Sequence, residues 1–238
     1  MNSILIKANT RGHAYHGWLD TYHTFSFANY YDPQRIHFGA LRVLNDDVVI
    51  GGEGFEKHPH DNMEIITIPL KGGVKHGDSM GNGGIIREGD VQVMSAGTGV
   101  THSEYNADSK QSVNFFQIWV FPNKKNVVPR YEQKKMTFLQ NRNTLNEIVT
   151  PEPTEYALWI YQQAWFNIGS FDTNKEVEYK LHNLENGLFA MVIQGEFEVG
   201  DIRIENRDGL ALWGTTEIKI KSLNDDARIL LIEVPMTW

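Results

Sequence analysis

Two parts of the chain, about 120 residues apart, carry the same succession of short apolar runs and glycine turns. The matching runs are residues 70–72 with 193–195, 89–94 with 209–213, and 116–122 with 230–235. A repeat of this length predicts two related domains in tandem, because each copy is long enough to enclose its own core. Chance similarity between short strands is the alternative.

The runs within each copy are short, alternate in polarity and end at tight turns, which is typical of all-β domains. In the first half, the alternation over residues 23–27 predicts a strand that ends at the turn Tyr31-Asp32-Pro33. A second strand is predicted over residues 38–44, and Asn45-Asp46-Asp47 is predicted to form a turn after it. We therefore expect strands to make up nearly all of the regular structure.

The segment between the two copies has a different composition. Charged and amide side chains dominate it, and Pro129, Pro151 and Pro153 interrupt it. We predict an N-terminal domain over residues 1–130, a linker over residues 131–155 with a short helix around residues 144–148, and a C-terminal domain over residues 156–238.

Composition excludes several classes of protein. The net charge is −8 with lysine and arginine scattered, so no basic stripe favours direct binding of nucleic acid. The chain has no cysteine, so disulfides and thiolate ligands are excluded. The opening residues lack the apolar run of a signal peptide, and no segment approaches the roughly 18 apolar residues of a membrane span. A cytoplasmic protein without a membrane segment is expected.

Histidine is concentrated in the first half, where eight of the nine histidines lie at or before His102. Two short motifs stand out, His58-Pro59-His60 and His102-Ser103-Glu104, and each places two potential metal ligands two residues apart. In a β-strand this spacing directs both side chains to one face of the sheet, so two such pairs on neighbouring strands would converge on one ion. Pro59 cannot donate to a ladder, which predicts a strand start, an edge or a bulge at this point.

Three imidazoles and one carboxylate suit iron(II), manganese, nickel, copper or zinc better than calcium or magnesium, which prefer oxygen ligands. The second half offers no equivalent set, because position 60 falls near Asn183 and position 102 falls near Ser222 in the repeat. One metal per chain, in the first domain, is predicted.

Further residues are candidates for the surroundings of this site. Glu64 continues the even-numbered face of His58 and His60, so it is a candidate ligand, base or orienting partner of a histidine, and we prefer the last role. His76, Asp78 and Ser79 follow the next turn, where a pocket wall and a polar surface turn are equal alternatives.

Aromatic residues crowd the N-terminal part of the chain between residues 18 and 31. Such side chains would give a small-molecule pocket apolar walls for a flat substrate, although packing in the core is the commoner role. Phe25 is our candidate pocket residue from this stretch.

The spacing of these residues resembles the two motifs of the cupin superfamily. The residues that carry this resemblance are His58, His60, Glu64, Gly72, Gly89, Gly97, His102 and Asn106. The chain is more specifically similar to the pirin family. That similarity lies in Arg11-Gly12-His13, residues 17–20, residues 23–33, His58-Pro59-His60, His76-Gly77-Asp78-Ser79 and His102-Ser103-Glu104.

The resemblance implies an all-β bicupin, that is, two tandem jelly-roll-like cupin barrels of which only the N-terminal one holds a metal. Its ligands carry over to His58, His60, His102 and Glu104. The glutamate of the cupin motif falls on Glu64, but pirins use the glutamate of His-x-Glu, which is Glu104 here. The implied cofactor is one divalent metal per chain, with Fe2+ expected and Mn, Ni, Cu or Zn as alternatives.

Bacterial and human pirins are described as quercetin 2,3-dioxygenases, so the resemblance implies a metal-dependent oxidoreductase that opens the ring of a flavonol with O2. Glu104 would be the catalytic base. The alternative is a redox-sensing protein that regulates a protein partner through its metal, because animal pirins are also nuclear cofactors of transcription. We expect a monomer, and the sequence shows no nuclear localisation run.

Overall fold

The structure, a computed structural model, describes residues 1–137 and 141–237. These residues form 22 β-strands and one short 3-10 helix, Ala8–Thr10, and no α-helix occurs among them. The strands of the first half are β1 (Asn2–Ile6), β2 (Gly12–Tyr15), β3 (Leu19–His23), β4 (Leu41–Val49), β5 (Gly54–His60), β6 (Glu64–Lys71), β7 (Gly73–Asp78), β8 (Gly83–Arg87), β9 (Asp90–Ser95), β10 (Val100–Asn106), β11 (Val113–Val120) and β12 (Arg130–Lys135). Those of the second half are β13 (Thr144–Thr150), β14 (Leu158–Trp159), β15 (Trp165–Phe171), β16 (Glu176–Lys180), β17 (Asn186–Gln194), β18 (Phe197–Val199), β19 (Ile202–Ile204), β20 (Gly209–Trp213), β21 (Glu217–Ser222) and β22 (Ala227–Pro235).

Each half forms a barrel from one seven-stranded and one four-stranded sheet. The large sheets have the orders β12-β9-β6-β11-β4-β3-β2 and β1-β20-β17-β22-β15-β13-β14, and the small sheets have the orders β5-β10-β7-β8 and β16-β21-β18-β19. The inner strands of the two barrels have the same order: β9-β6-β11-β4-β3 corresponds to β20-β17-β22-β15-β13, and β5-β10-β7-β8 corresponds to β16-β21-β18-β19. The repeat predicted from the glycine turns is therefore confirmed, since β6, β9 and β11 occupy the places of β17, β20 and β22.

The edge position of each large sheet is filled from outside the repeat. In the first barrel β12 pairs with β9, and in the second barrel the N-terminal strand β1 pairs with β20. Both additions cover backbone groups that an open edge would leave unpaired. The N-terminus of the chain is thereby part of the second barrel.

The two large sheets pack against each other and share one core. Its side chains come from both halves and include Phe25, Phe38, Phe116, Phe166 and Phe189. Phe25 lies 5.6 Å from Phe189 between ring centroids, across the boundary between the barrels. Burying a side chain of this size contributes about 1.5–3 kcal/mol, so the shared core fixes how one barrel sits on the other.

The turn predicted at Asn45-Asp46-Asp47 is wrong, because all three residues lie inside the nine-residue strand β4. Their side chains are buried but have partners: Asn45 lies 2.9 Å from His23, and Asp47 accepts a hydrogen bond of 2.5 Å from Thr21. Tertiary hydrogen bonds thus override the local turn preference of Asn and Asp.

Two other local predictions also fail. The strand expected over residues 23–27 ends at His23, and the chain then folds back on itself, with Ser26 donating to the carbonyl of Asp32. The helix expected around residues 144–148 is instead strand β13, which pairs with β15.

The predicted linker, residues 131–155, contains most of β12 and the whole of β13, and its residues 138–140 lie outside the described residues. Strand pairing assigns β12 to the first barrel and β13 to the second. The division at residues 130 and 155 stays a prediction. No helix in the described chain is long and apolar enough to cross a lipid bilayer.

Candidate metal centre

Three of the predicted ligands meet inside the first barrel. Each of His58, His60 and His102 can offer a ring nitrogen within 4.8 Å of the others. They come from the paired strands β5 and β10, where His102 lies opposite His58 and Val100 lies opposite His60. This is the single group of three or more potential metal-binding side chains within residues 1–137 and 141–237.

Local strand geometry explains how the sequence produces this cluster. Strand β5 is the edge of the four-stranded sheet, which confirms the position inferred from Pro59. The register between β5 and β10 shifts between His102 and Glu104, so that Glu104 lies opposite Phe55. Such a bulge re-aims the side chains next to it, and Glu104 directly follows this one.

The imidazoles are prepared to bind a cation. Nδ1 of His58 lies 2.7 Å from the carbonyl oxygen of Glu56; a carbonyl can only accept, so Nδ1 carries a proton and Nε2 is the nitrogen left to bind a metal. Burial, with the neighbouring histidines as a further cause, lowers the pKa of His60 to about 4 and that of His102 to about 3. Both rings are therefore neutral at neutral pH, the form that binds metals.

His102 gives the clearest sign that the residues fit a metal. It is 1% exposed, and neither of its ring nitrogens has a hydrogen-bond partner in the described structure. Buried polar atoms without partners are costly, and a bound cation would satisfy one of them.

Glu104 lies close to the histidine cluster but is held by other groups. Its Oε2 accepts a hydrogen bond of 2.7 Å from Nε2 of Gln117, and its Oε1 accepts one of 3.2 Å from Oγ1 of Thr67. The residue is 4% exposed, and none of the salt bridges among the described residues involves it. A buried carboxylate with only neutral donors gains from a nearby cation, so Glu104 also fits a metal site.

The cluster forms part of the wall of a cavity of about 650 Å³. His58, His60 and Glu104 line it, and the remaining walls are largely aromatic. The aromatic residues that line it are Trp18, Phe27, Tyr30, Phe55 and Trp119, with His13, His16 and His23 beside them. The ring of Trp119 packs 4.9 Å from that of His60, so a ligand in the cavity would lie beside both the imidazoles and an apolar surface.

His76 and Asp78 lie behind the cluster and do not line the cavity. Their side chains are wholly buried, with Nε2 of His76 3.2 Å from the carboxylate of Asp78. The ring of His76, on the strand that flanks β10 opposite β5, packs 5.5 Å from that of His102, and Ser79 accepts a hydrogen bond from the backbone N–H of Thr101. These residues support the strand that carries His102.

Glu64 and Phe25 are placed elsewhere by the structure. Glu64 accepts a hydrogen bond from Ser95 and faces the segment around Tyr161, because β5 ends at His60 and β6 begins a new sheet at Glu64. The prediction counted even-numbered positions from His60 on to Glu64 as if they lay in one strand. The chain reverses direction between the two residues, at a turn in which Asn62 has a φ of +44°. Phe25 lies in the core between the barrels and is absent from the cavity wall.

Matches to known proteins cover nearly the whole chain. The family model described as Pirin matches residues 6–120, and that of the quercetinase C-terminal cupin domain matches residues 147–234. The quercetin 2,3-dioxygenase of Escherichia coli strain K12 is 41% identical over 233 residues, which are 97% of this chain and 98% of that protein. A pirin-like protein of Caulobacter vibrioides is 36% identical over 93% of this chain and 95% of its own.

The chain belongs to the pirin family.

The crystal structure of the bacterial pirin YhhW from E. coli in complex with nickel(II) superimposes with a TM-score of 0.92. It is 39% identical and covers 98% of this chain and 99% of that one. This likeness, together with the cupin match in the second half, confirms the predicted bicupin fold of this pirin.

The second barrel of this pirin has no comparable cluster among its described residues. Apolar side chains fill its interior, including Phe197, Leu210 and Ile220. The lone histidine of this half, His182, stacks on Trp165 at 4.1 Å and lies 2.8 Å from the carboxylate of Glu233, which also accepts from Tyr179. The first barrel, which holds most of the histidines, thus contains a cavity, whereas apolar side chains fill the second barrel.

Several residues of the pirin cavity were not predicted from the sequence. Asp47, Gln117 and Trp119 line it, and Thr67 supports Glu104 from the large sheet. A polar residue in the middle of an apolar strand, such as Thr67 or Gln117, is the signal that could have indicated them. Burial raises the pKa of Asp47 to about 7, so its carboxyl group can act as a hydrogen-bond donor in the cavity at slightly acid pH.

Glu64 provides a prediction about stability. Burial raises its pKa from 4.5 to about 7, so the folded protein binds more protons than the unfolded chain between these values. The free energy of unfolding contributed by Glu64 therefore falls as pH rises through this window. Glu64→Gln cannot titrate, and we expect its stability relative to wild type to increase by roughly 2 kcal/mol from about pH 5 to about pH 8.

Urea unfolding of both proteins at each pH measures this difference. Other titrating groups, Asp47 included, are common to the two proteins and cancel. A difference that stayed constant or shrank with rising pH would show that Glu64 is ionised in the folded state throughout.

Proposed function

We propose that this pirin is a metal-dependent dioxygenase that opens the heterocyclic ring of flavonols such as quercetin within the cavity of the first barrel. One observation carries the proposal: three imidazoles cluster in the first barrel, and two of them, with the buried carboxylate of Glu104, line an aromatic cavity of about 650 Å³. That volume lies within the range of small-molecule sites. The name of the E. coli relative, quercetin 2,3-dioxygenase, supports the same substrate class.

His58, His60, His102 and Glu104 are the residues that would hold one divalent metal, for which we propose iron(II). When bound, the metal would act as a Lewis acid toward the flavonol and lower the pKa of its 3-hydroxyl group. With three neutral imidazoles and the one carboxylate of Glu104, the site would keep a net charge of about +1, which favours an anionic substrate.

Glu104 is the residue we assign as the base. Its carboxylate would accept the proton of the 3-hydroxyl group, and Gln117 and Thr67 hold it in place by one hydrogen bond to each oxygen. Proton removal makes the flavonol electron-rich enough to react with O2. Both oxygen atoms then enter the ring-opened ester, and one carbon leaves as carbon monoxide.

The aromatic walls position the substrate and exclude water. Trp119 and Phe27 meet edge to face at 5.4 Å, and Trp18 and Phe55 meet at 5.1 Å, which forms two rigid apolar surfaces. A flat flavonol placed between them would present its oxygen atoms to the polar wall. These aromatic residues would therefore orient the flavonol, and Glu104 would accept the proton of its 3-hydroxyl group.

Oxygen uptake with quercetin tests the proposal. We expect metal-loaded wild type to consume O2 and release an equal amount of carbon monoxide, and His60→Ala to do neither. Luteolin, which lacks the 3-hydroxyl group of quercetin, is the matched substrate control and should not be turned over. If metal-loaded protein consumed no O2 with any flavonol, the proposal would fail. The alternative would then replace it, in which this pirin senses redox state through its metal and regulates a protein partner.

A further inference from the structure

A second pocket, of about 430 Å³, lies between the first barrel and the turn that precedes β20 in the second barrel. Arg11, Asp46 and Asn114 line it from the first barrel, and Arg207 lines it from the second. It is on the opposite face of strands β3 and β4 from the flavonol cavity, since Asp46 lines this pocket and its neighbour Asp47 lines the other. The proposed dioxygenase reaction makes no use of it.

Charges in this pocket do not balance. Both arginines contact the same carboxylate: Nη2 of Arg11 is 3.5 Å and Nε of Arg207 is 3.3 Å from Oδ2 of Asp46. The other carboxylate oxygen accepts a hydrogen bond of 2.8 Å from Asn114. One carboxylate thus faces two guanidinium groups, which leaves one positive charge uncompensated in a chain whose net charge is −8.

These guanidinium groups are desolvated. The side chains of Arg11 and Asp46 are 3% and 8% exposed, and that of Arg207 is 22% exposed. Burial lowers the pKa of Arg11, and the positive charge of Arg207 lowers it further. Arginine nevertheless stays protonated in proteins. A second anion would therefore stabilise this buried pair of arginines more than it would stabilise an exposed pair.

Some N–H groups of the two arginines also lack acceptors. Arg207 donates from Nη2 to Asn114 at 3.0 Å, and Arg11 donates from Nε to the carbonyl of Ala8 at 3.5 Å. The Nη1 nitrogens of both residues are buried, and no acceptor within the described residues reaches either of them. Each Nη1 carries two N–H groups, so both guanidinium groups keep donors for a ligand rich in acceptor oxygens.

The backbone at Arg207 is strained. Its φ is +64°, in the left-handed region that favours glycine and asparagine. An arginine occupies this position, with its guanidinium group 5.4 Å from the ring of Phe116 and directed towards Asp46. Strain of this kind persists where the side chain has a use that compensates for it.

We propose that this pocket binds a small oxyanion, either a phosphate or a carboxylate group, between the two barrels. Guanidinium forks match the oxygens of both groups, and a single bound anion would remove the excess charge and occupy the free Nη1 donors. The site joins residues of both barrels, so the ligand would also strengthen their contact.

Titration of metal-loaded wild type with inorganic phosphate, and separately with acetate, tests the proposal by calorimetry at constant ionic strength. We expect saturable binding of at least one anion, and the two arms distinguish the phosphate from the carboxylate class. Absence of saturable binding in both arms overturns the proposal and needs no variant.

Variants then locate the site. Arg207→Asn removes the guanidinium group and suits the left-handed backbone, and Arg11→Lys keeps the charge but removes the fork. We expect each to weaken anion binding at least about tenfold. Arg142→Asn is the matched control, because Arg142 is an exposed arginine paired with Asp172 and Asp226, and it should bind as wild type does. Undiminished binding in both site variants would place the anion elsewhere, for example on the metal, and would overturn the assignment.

Discussion

His102→Ala is expected to lose both the metal and the turnover of quercetin. Metal content should fall from about one ion per chain to less than about a tenth, and oxygen uptake should fall at least about 100-fold. The reason is that His102 is the most deeply buried of the three imidazoles, with ring centroids 4.4 Å from His58 and 4.9 Å from His60. Without it, the half-buried imidazoles of His58 and His60 and the carboxylate of Glu104 remain, and Glu104 is already held by Gln117 and Thr67, so we expect only weak metal binding.

His182→Ala is the matched control for this change. It removes the one histidine of the second barrel, which contacts Glu233 and Trp165 and none of the proposed ligands. Metal content by elemental analysis and oxygen uptake should both match wild type. If His102→Ala kept a full equivalent of metal, or if His182→Ala lost it, the assignment of the site to the first barrel would be contradicted.

Glu104→Gln is expected to separate metal binding from proton transfer. The three histidines remain, so most of the metal should be retained when the protein is loaded with an excess. The value of kcat should nevertheless fall about 10²- to 10⁴-fold, because an amide cannot accept the proton of the 3-hydroxyl group. The fold should persist, since the amide oxygen can still accept from Gln117 while the Thr67 hydroxyl rotates to accept from the amide NH2.

Asp47→Asn provides the comparison for Glu104→Gln. Asp47 is the other buried carboxyl group of the cavity, and it is held by Thr21 at 2.5 Å. The same change from carboxyl to amide at this position should lower kcat by less than about tenfold, because the group contacts substrate without taking its proton. Comparable losses in the two variants would show that general polarity of the cavity, and not a base at Glu104, supports the reaction.

Features that repeat along the chain were predictable from the sequence. The glycine turns at residues 72 and 195 indicated two barrels because each turn links the large sheet to the small sheet at the same point of its barrel, from β6 to β7 and from β17 to β18. The pairing of β5 with β10 brings His58, His60 and His102 together as the spacing predicted, because a period of two fixes which side chains share a face.

Features that depend on contacts across the fold were not predictable. Asn45-Asp46-Asp47 has the composition of a turn, but pairing with β3 and β11 and side-chain contacts with Thr21, His23 and Asn114 keep it in a strand. Glu64 was linked to the histidines by counting along the chain, which fails where β5 ends and a new sheet begins. The seven-stranded sheet also supplies Gln117 and Thr67 from strands distant in sequence, and spacing carries no information on such partners.

Anomalous diffraction from crystals of the metal-loaded protein, recorded at the absorption edge of the bound metal, tests the central claim most directly. The account predicts one peak per chain in the first barrel, bonded to the imidazoles of His58, His60 and His102 and in contact with the carboxylate of Glu104. A peak in the second barrel near His182 and Glu233, or a peak outside both barrels, would contradict it.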